Sequence, residues 1–194
     1  MIVESVHSRE TLMALLRIEI ETGYGRIFMS TIYFTDSLFS AGMTEIYNEN
    51  KDHIGTLDLK SAFTSSVDIL NTKEEITLSG GFRFFSRTWV VSQPTEEEVG
   101  EVKQRFSFFA KKFEYEAFGR GVYTIESEAF SRDYEILDEQ EQMVAQFNRT
   151  DSFFESPAFC LTNHSSALAE DELIAVIMGV NIIQKRNSSA GAAT

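Results

Sequence analysis

Residues 170–187, "EDELIAVIMGVNIIQKRN", constrain the fold of this 194-residue chain more than any other stretch. Glu170, Asp171 and Glu172 place negative charge where the N-terminal end of a helix macrodipole favours it, and Lys185 and Arg186 place positive charge at the opposite end. From Leu173 to Ile183 only Asn181 is polar, so a helix here has no face to show to water and must be enclosed on every side. The run is about half the ~18–20 apolar residues that a membrane span needs, which makes it a core helix. A single sheet face covers one side of a helix. Complete enclosure by strands requires a sheet curled into a barrel around it.

Strands are abundant enough to build one. From about residue 26 to residue 162 short segments rich in Val, Ile, Phe, Tyr and Thr alternate with clusters of Asn, Asp, Glu and Gly, at close to one strand per ten residues. Examples are "RIFMSTIYFT", "GTLDLKSAF", "EITLSGGFRFF", "RTWVVSQ", "FEYEAF" and "MVAQFNR". Leu57 and Leu59 alternate with Asp58 and Lys60, the pattern of a strand with one buried face. A weak repeat runs through the region: "TEIYNENKDHIGTLDL" at 44–59 aligns without gaps on "YEILDEQEQMVAQFNR" at 134–149, with a looser copy at 87–106. Each copy reads as a hairpin, whether from true internal duplication or because hairpins on an amphipathic sheet look alike. The first residues are ambiguous: "SRETLMALLRIE" can open as a helix capped by Ser8, but "LMALLRIEIE" is read as a strand leading into a Gly23/Gly25 turn. A mainly β fold follows, a single domain over 1–187 with its helix at about 170–187. Residues 188–194, "SSAGAAT", are expected to be a small, polar, disordered tail.

Charge and cysteine content narrow the function classes. Thirty acidic against 17 basic residues give a net charge of −13, which disfavours nucleic acid as a partner, because that affinity comes from cations neutralising phosphates. Cys160 stands alone, so no internal disulfide forms and a reducing, cytoplasmic location is the simpler expectation. The N-terminus lacks a basic segment followed by an apolar one, as a secretory signal would have. An integral membrane protein is not expected.

The repeated hairpins "IYNENKDHIGTL" and "ILDEQEQMVAQF", the strand "RTWVV" and the closing "DELIAVIMGVNII" resemble the tubby-like fold shared by tubby C-terminal domains, LURP-one-related proteins and phospholipid scramblases. The resemblance covers about residues 26–187. It implies a closed barrel of about twelve antiparallel strands threaded by the C-terminal helix. It also implies binding of phosphoinositide headgroups by surface Lys and Arg, as tubby domains do. The cationic concentration that fits such a role is Arg83, Arg87, Lys103, Arg105, Lys111, Lys112 and Arg120, interleaved with Phe106, Phe108, Phe109 and Phe113. Glu96, Glu97, Glu98 and Glu101 sit among them, and no residue matches a known headgroup ligand one to one. The palmitoylated cysteines and calcium segment of scramblases have no counterpart.

Catalytic and metal motifs are weak. His7, His53 and His164 have no metal-ligand spacing, and "TEEEVGE", "DEQEQ" and "AEDE" lack the EF-hand pattern. Cys160 and His164 at i, i+4 lack an orienting group, so Cys160 reads as a buried structural thiol. Gly119 and Gly121 around Arg120 mark a tight turn, because no G-K-[ST] follows them. No cofactor is expected. The expected function is a non-enzymatic binding module for membrane phospholipid or a protein partner at the inner membrane surface. A small enzyme with its site at the barrel mouth, or an oligomerising module, stands as the alternative.

Overall fold

The computed structural model describes residues 20–22, 25–27, 29–60, 66–105, 111–127, 133–151, 153–154 and 157–191. A two-stranded hairpin, β1 (Ile20–Thr22) and β2 (Gly25–Ile27), precedes the main body. It realises the end of the strand expected before the Gly23/Gly25 turn; the earlier part of that reading lies outside the described residues.

Twelve strands then run up and down in sequence order: β3 (Ser30–Thr35), β4 (Gly42–Asn48), β5 (His53–Leu59), β6 (Ser66–Asn71), β7 (Ile76–Phe82), β8 (Trp89–Ser92), β9 (Glu98–Arg105), β10 (Lys111–Ala117), β11 (Gly121–Ser127), β12 (Tyr134–Leu137), β13 (Met143–Thr150) and β14 (Ala158–Asn163). Each pairs antiparallel with the next, and β14 closes the barrel on β3 through Ala158 opposite Thr35 and Asn163 opposite Ser30. A barrel of about eight strands can be filled by its own side chains, whereas twelve leave a wider lumen. The helix α1 (Glu170–Gly191) fills it. Leu173, Val176, Ile177 and Val180 are buried together with the inward strand residues Phe34, Leu57, Val102 and Phe113. The predicted enclosure is therefore the architecture of the molecule.

The only tryptophan shows how closely wall and helix approach. Trp89 on β8 is fully buried, and its indole N–H donates to Ala175 O at 3.1 Å. A Cβ on Gly179 would lie 2.4 Å from the indole, and one on Gly80 of the neighbouring strand 2.6 Å. The ring occupies a slot that only two glycines leave open, one on the helix and one on the sheet.

The helix is longer than its sequence signals indicate. It continues to Gly191, so residues 188–191 are helical where a disordered tail was expected, and Lys185 and Arg186 lie before the last turn. Side-chain bonds support the extension: Ser188 Oγ donates to Lys185 O at 2.9 Å, and Asn187 bonds Gln104. Residues 192–194 lie outside the described residues.

Candidate functional site

An up-and-down barrel sends alternate connections to opposite ends, so each end is a cluster of turns remote in sequence. At the end where the helix begins, four turns repeat one design. Residues 48–52, 71–75, 93–97 and 138–142 each close with two backbone bonds, as in Lys51 N–H to Asn48 O and Asn48 N–H to Asp52 O, both 3.0 Å. In three of them the first side chain also accepts two turn amides: Asn48 Oδ1 from Asn50 and Asp52, Asn71 Oδ1 from Lys73 and Glu75, Asp138 Oδ1 from Gln140 and Gln142. Lys51, Glu74, Glu96 and Glu141 take the left-handed position without glycine, at φ 65, 62, 65 and 60°. The sequence repeat is thus a repeat of hairpins. Asn48, Asn71, Gln93 and Asp138 are 23, 22 and 45 residues apart, the last interval spanning two units.

These turns are acidic. Residues 49–52, 72–75, 94–97 and 138–142 hold nine carboxylates and two lysines, and Glu170, Asp171 and Glu172 join them from the helix. Among them opens a cavity of about 440 Å³, bordered by Thr77, Gln93, Glu97, Phe118, Arg120 and Asp171. A second, of about 240 Å³, adjoins it across Thr77 and Asp171 and is otherwise largely apolar. Burial pushes the Asp171 carboxyl above its ordinary range, opposed by bonds from Thr77 and the Glu172 amide.

Arg120, from the tight β10–β11 turn predicted at Gly119 and Gly121, reaches into this mouth. Its Nη1 donates to Glu172 Oε2 at 2.6 Å and Ala167 O at 3.0 Å, and its Nη2 to Glu172 Oε1 at 2.7 Å and Val99 O at 3.1 Å. The Tyr115 hydroxyl also donates to Glu172, and both its burial and that carboxylate push its pKa up. Glu172 is 4% exposed, so this bidentate pair fastens the helix start to the barrel rim. From the sequence, Arg120 belongs to a headgroup patch and Glu172 is only a helix-start charge. Their 52-residue separation gave no signal of the pairing.

The other cations of the patch occupy the outer wall and the opposite end. Arg83 pairs with Glu98 at 2.6 Å and Glu101 at 3.1 Å, Lys103 with Glu101, Arg105 with Glu114 (Nε to Oε2, 2.9 Å), and Lys112 with Glu126 at 2.8 Å. Lys103 and Arg83 hold the Glu101 carboxyl below its usual range. The expected adjacency on neighbouring strands is present, and the interspersed glutamates are the partners. Arg87 is exposed and makes no ion pair among the described residues. The side chain of Lys111, on β10, lies outside the described residues, as do Phe106, Phe108 and Phe109. Phe113 points into the core.

At the end where the helix finishes, the β7–β8 turn over residues 83–88 carries Phe84 and Phe85 at its tip. Nearby, Arg186 lies over the Phe82 ring, 3.7 Å from its centroid, and Lys185 donates to Phe39 O at 3.0 Å. Glu170 and Arg186 are sixteen residues apart on one helix, roughly 24 Å at 1.5 Å per residue.

Cys160 is half-buried on β14, its thiol pushed up by burial, and among the described residues no group of three or more His, Cys, Asp or Glu is arranged to hold a metal ion. No described helix is long and apolar enough to cross a membrane.

An X-ray structure of a protein from Arabidopsis thaliana matches with a TM-score of 0.55 at 11% identity, covering 88% of this chain and 99% of that one, a likeness that shows the fold. Among curated proteins none matches the sequence. The LURP-one-related family is matched over residues 31–180, from the first barrel strand well into the enclosed helix, and the chain belongs to that family.

Proposed function

We propose that this barrel is a non-catalytic binding module for anionic phospholipid headgroups, acting at the inner surface of a membrane. The observation that carries the reading is the sorting of charge between the barrel ends. A net charge of −13 argues against an anionic partner only if it is spread evenly, and much of the acid is gathered in the turns around the helix start. That end stands roughly 24 Å from Arg186 along the helix, about three times the ~8 Å screening length at physiological ionic strength. An anionic surface at the other end meets Arg87, Lys185 and Arg186 before it meets the acidic turns. Arg105 and Lys112 can exchange a glutamate for a phosphate, because exposed pairs contribute only about 0–1 kcal/mol, whereas Arg83 and Lys103 are held by Glu101, which is 7% exposed. Arg120 is excluded from this role by its commitment to Glu172.

Sedimentation of the full chain with phosphatidylcholine vesicles, with and without phosphatidylserine or a phosphoinositide, tests the reading. Binding that needs the anionic lipid and weakens with salt is the expected result. Absence of binding to every anionic composition at low salt overturns it and leaves a protein partner as the better candidate. The mouth cavity beside Asp171 favours a second reading, a small-molecule or enzymatic site. Thermal stabilisation by a small molecule, lost in Glu97→Gln, is the result that would support it.

A further inference from the structure

We propose that Phe84 and Phe85 form a membrane-inserting tip, so that the barrel docks end-on with the finish of its helix toward the bilayer. This rests on the headgroup reading above and adds to it an orientation and an apolar anchor. Phe84 is 85% exposed and Phe85 96%, the two most exposed large hydrophobic side chains among the described residues. Their rings pack on each other, with centroids 4.1 Å apart. The backbone presents them deliberately. Ser86 N–H donates to Arg83 O at 2.9 Å and Arg83 N–H to Thr88 O at 3.0 Å, which puts both phenylalanines at the apex of a tight turn. Phe85 sits at φ 54°, where glycine or asparagine is usual and a bulky side chain is costly. A turn that needed only to reverse the chain would not hold two aromatic rings in water in that conformation.

Charge complementarity selects a lipid surface as the occupant. Arg83 and Arg87 flank the two rings in sequence, Arg87 without an ion pair among the described residues, and Arg186 stacks on Phe82 at the foot of the same strand. Rings that enter the interface while guanidinium groups stay among phosphates are the arrangement amphipathic membrane anchors use. The acidic turns lie at the far end of the helix, where screening removes their repulsion.

The test compares the wild-type chain, Phe84→Ser/Phe85→Ser and Phe84→Trp on phosphatidylcholine vesicles containing phosphatidylserine. The double serine variant should keep its thermal midpoint and bind about a hundredfold more weakly, from the loss of two buried rings. In Phe84→Trp the new indole should be quenched by lipids brominated in their acyl chains, against a background of fully buried Trp89. Wild-type binding with an unaffected double variant and no quenching overturns the insertion and leaves headgroup binding standing. No wild-type binding overturns both.

Discussion

The two ends of the barrel close the same sheet in opposite ways. At the helix start the turns are short and alike, and three of them bond their amides to a leading Asn or Asp. The helix is fastened there by Arg120 on the buried Glu172 carboxylate. At the helix finish the described turn between β7 and β8 exposes two aromatic rings and holds Phe85 in a costly conformation. Residues that satisfy one another read as structure. At the second end Phe84 and Phe85 touch little but each other, and the proposed membrane contact lies there.

The largest expected effect removes what both ends share. Ile177 is 1% exposed in the helix, and Ile177→Asp buries a charge without a partner, so the variant should fail to fold, as circular dichroism and proteolysis would report. A native thermal transition would show that the helix is not enclosed. Arg120→Ala then tests the fastened end alone. It leaves the Glu172 carboxylate and Tyr115 hydroxyl without their cation, and because Arg120 itself is a third exposed the loss should be about 2–4 kcal/mol in denaturant unfolding. A loss under about 0.5 kcal/mol, the usual range of a surface substitution, would make the two ends equivalent.

Asp171→Asn gives a smaller effect with a pH signature. Burial raises the folded-state pKa of Asp171, so the folded form binds more protons than the unfolded chain between the two values, and stability falls as pH rises through that window. The asparagine variant should therefore melt higher than wild type at neutral pH. The difference should vanish below the unfolded aspartate pKa of about 3.9. A pH-independent difference would assign the effect to packing. The smallest effect belongs to the contact end: Phe84→Ser/Phe85→Ser should change stability by no more than about 0.5 kcal/mol, since the rings touch little but each other. A loss above about 2 kcal/mol would mean the tip supports the fold.

Much of the fold was legible because it depends on patterns local in sequence. The unbroken apolar run from Leu173 required enclosure, and the aligned hairpins at 44–59 and 134–149 are β4–β5 and β12–β13. The Asn71 unit has no place in that alignment, although its turn closes by the same two backbone bonds. The helix end at Gly191 was hidden by a composition of small polar residues. The candidate patch was legible only as a list of cations. Whether each faced solvent, glutamate or the barrel mouth depended on register, as when β9 and β10 place Lys103 opposite Glu114 and Lys112 opposite Arg105.

The sequence by itself determined a helix that cannot face water and enough alternating strands to surround it, because hydrophobic burial and backbone periodicity act over neighbouring residues. Only the tertiary structure decided which charges cancel. Closing β14 on β3 gathers acidic turns tens of residues apart at one end, brings Arg120 onto Glu172, and leaves Phe84, Phe85 and Arg87 at the other. Electrostatics and exposure are properties of distance in space, and a barrel sets those distances by its closure.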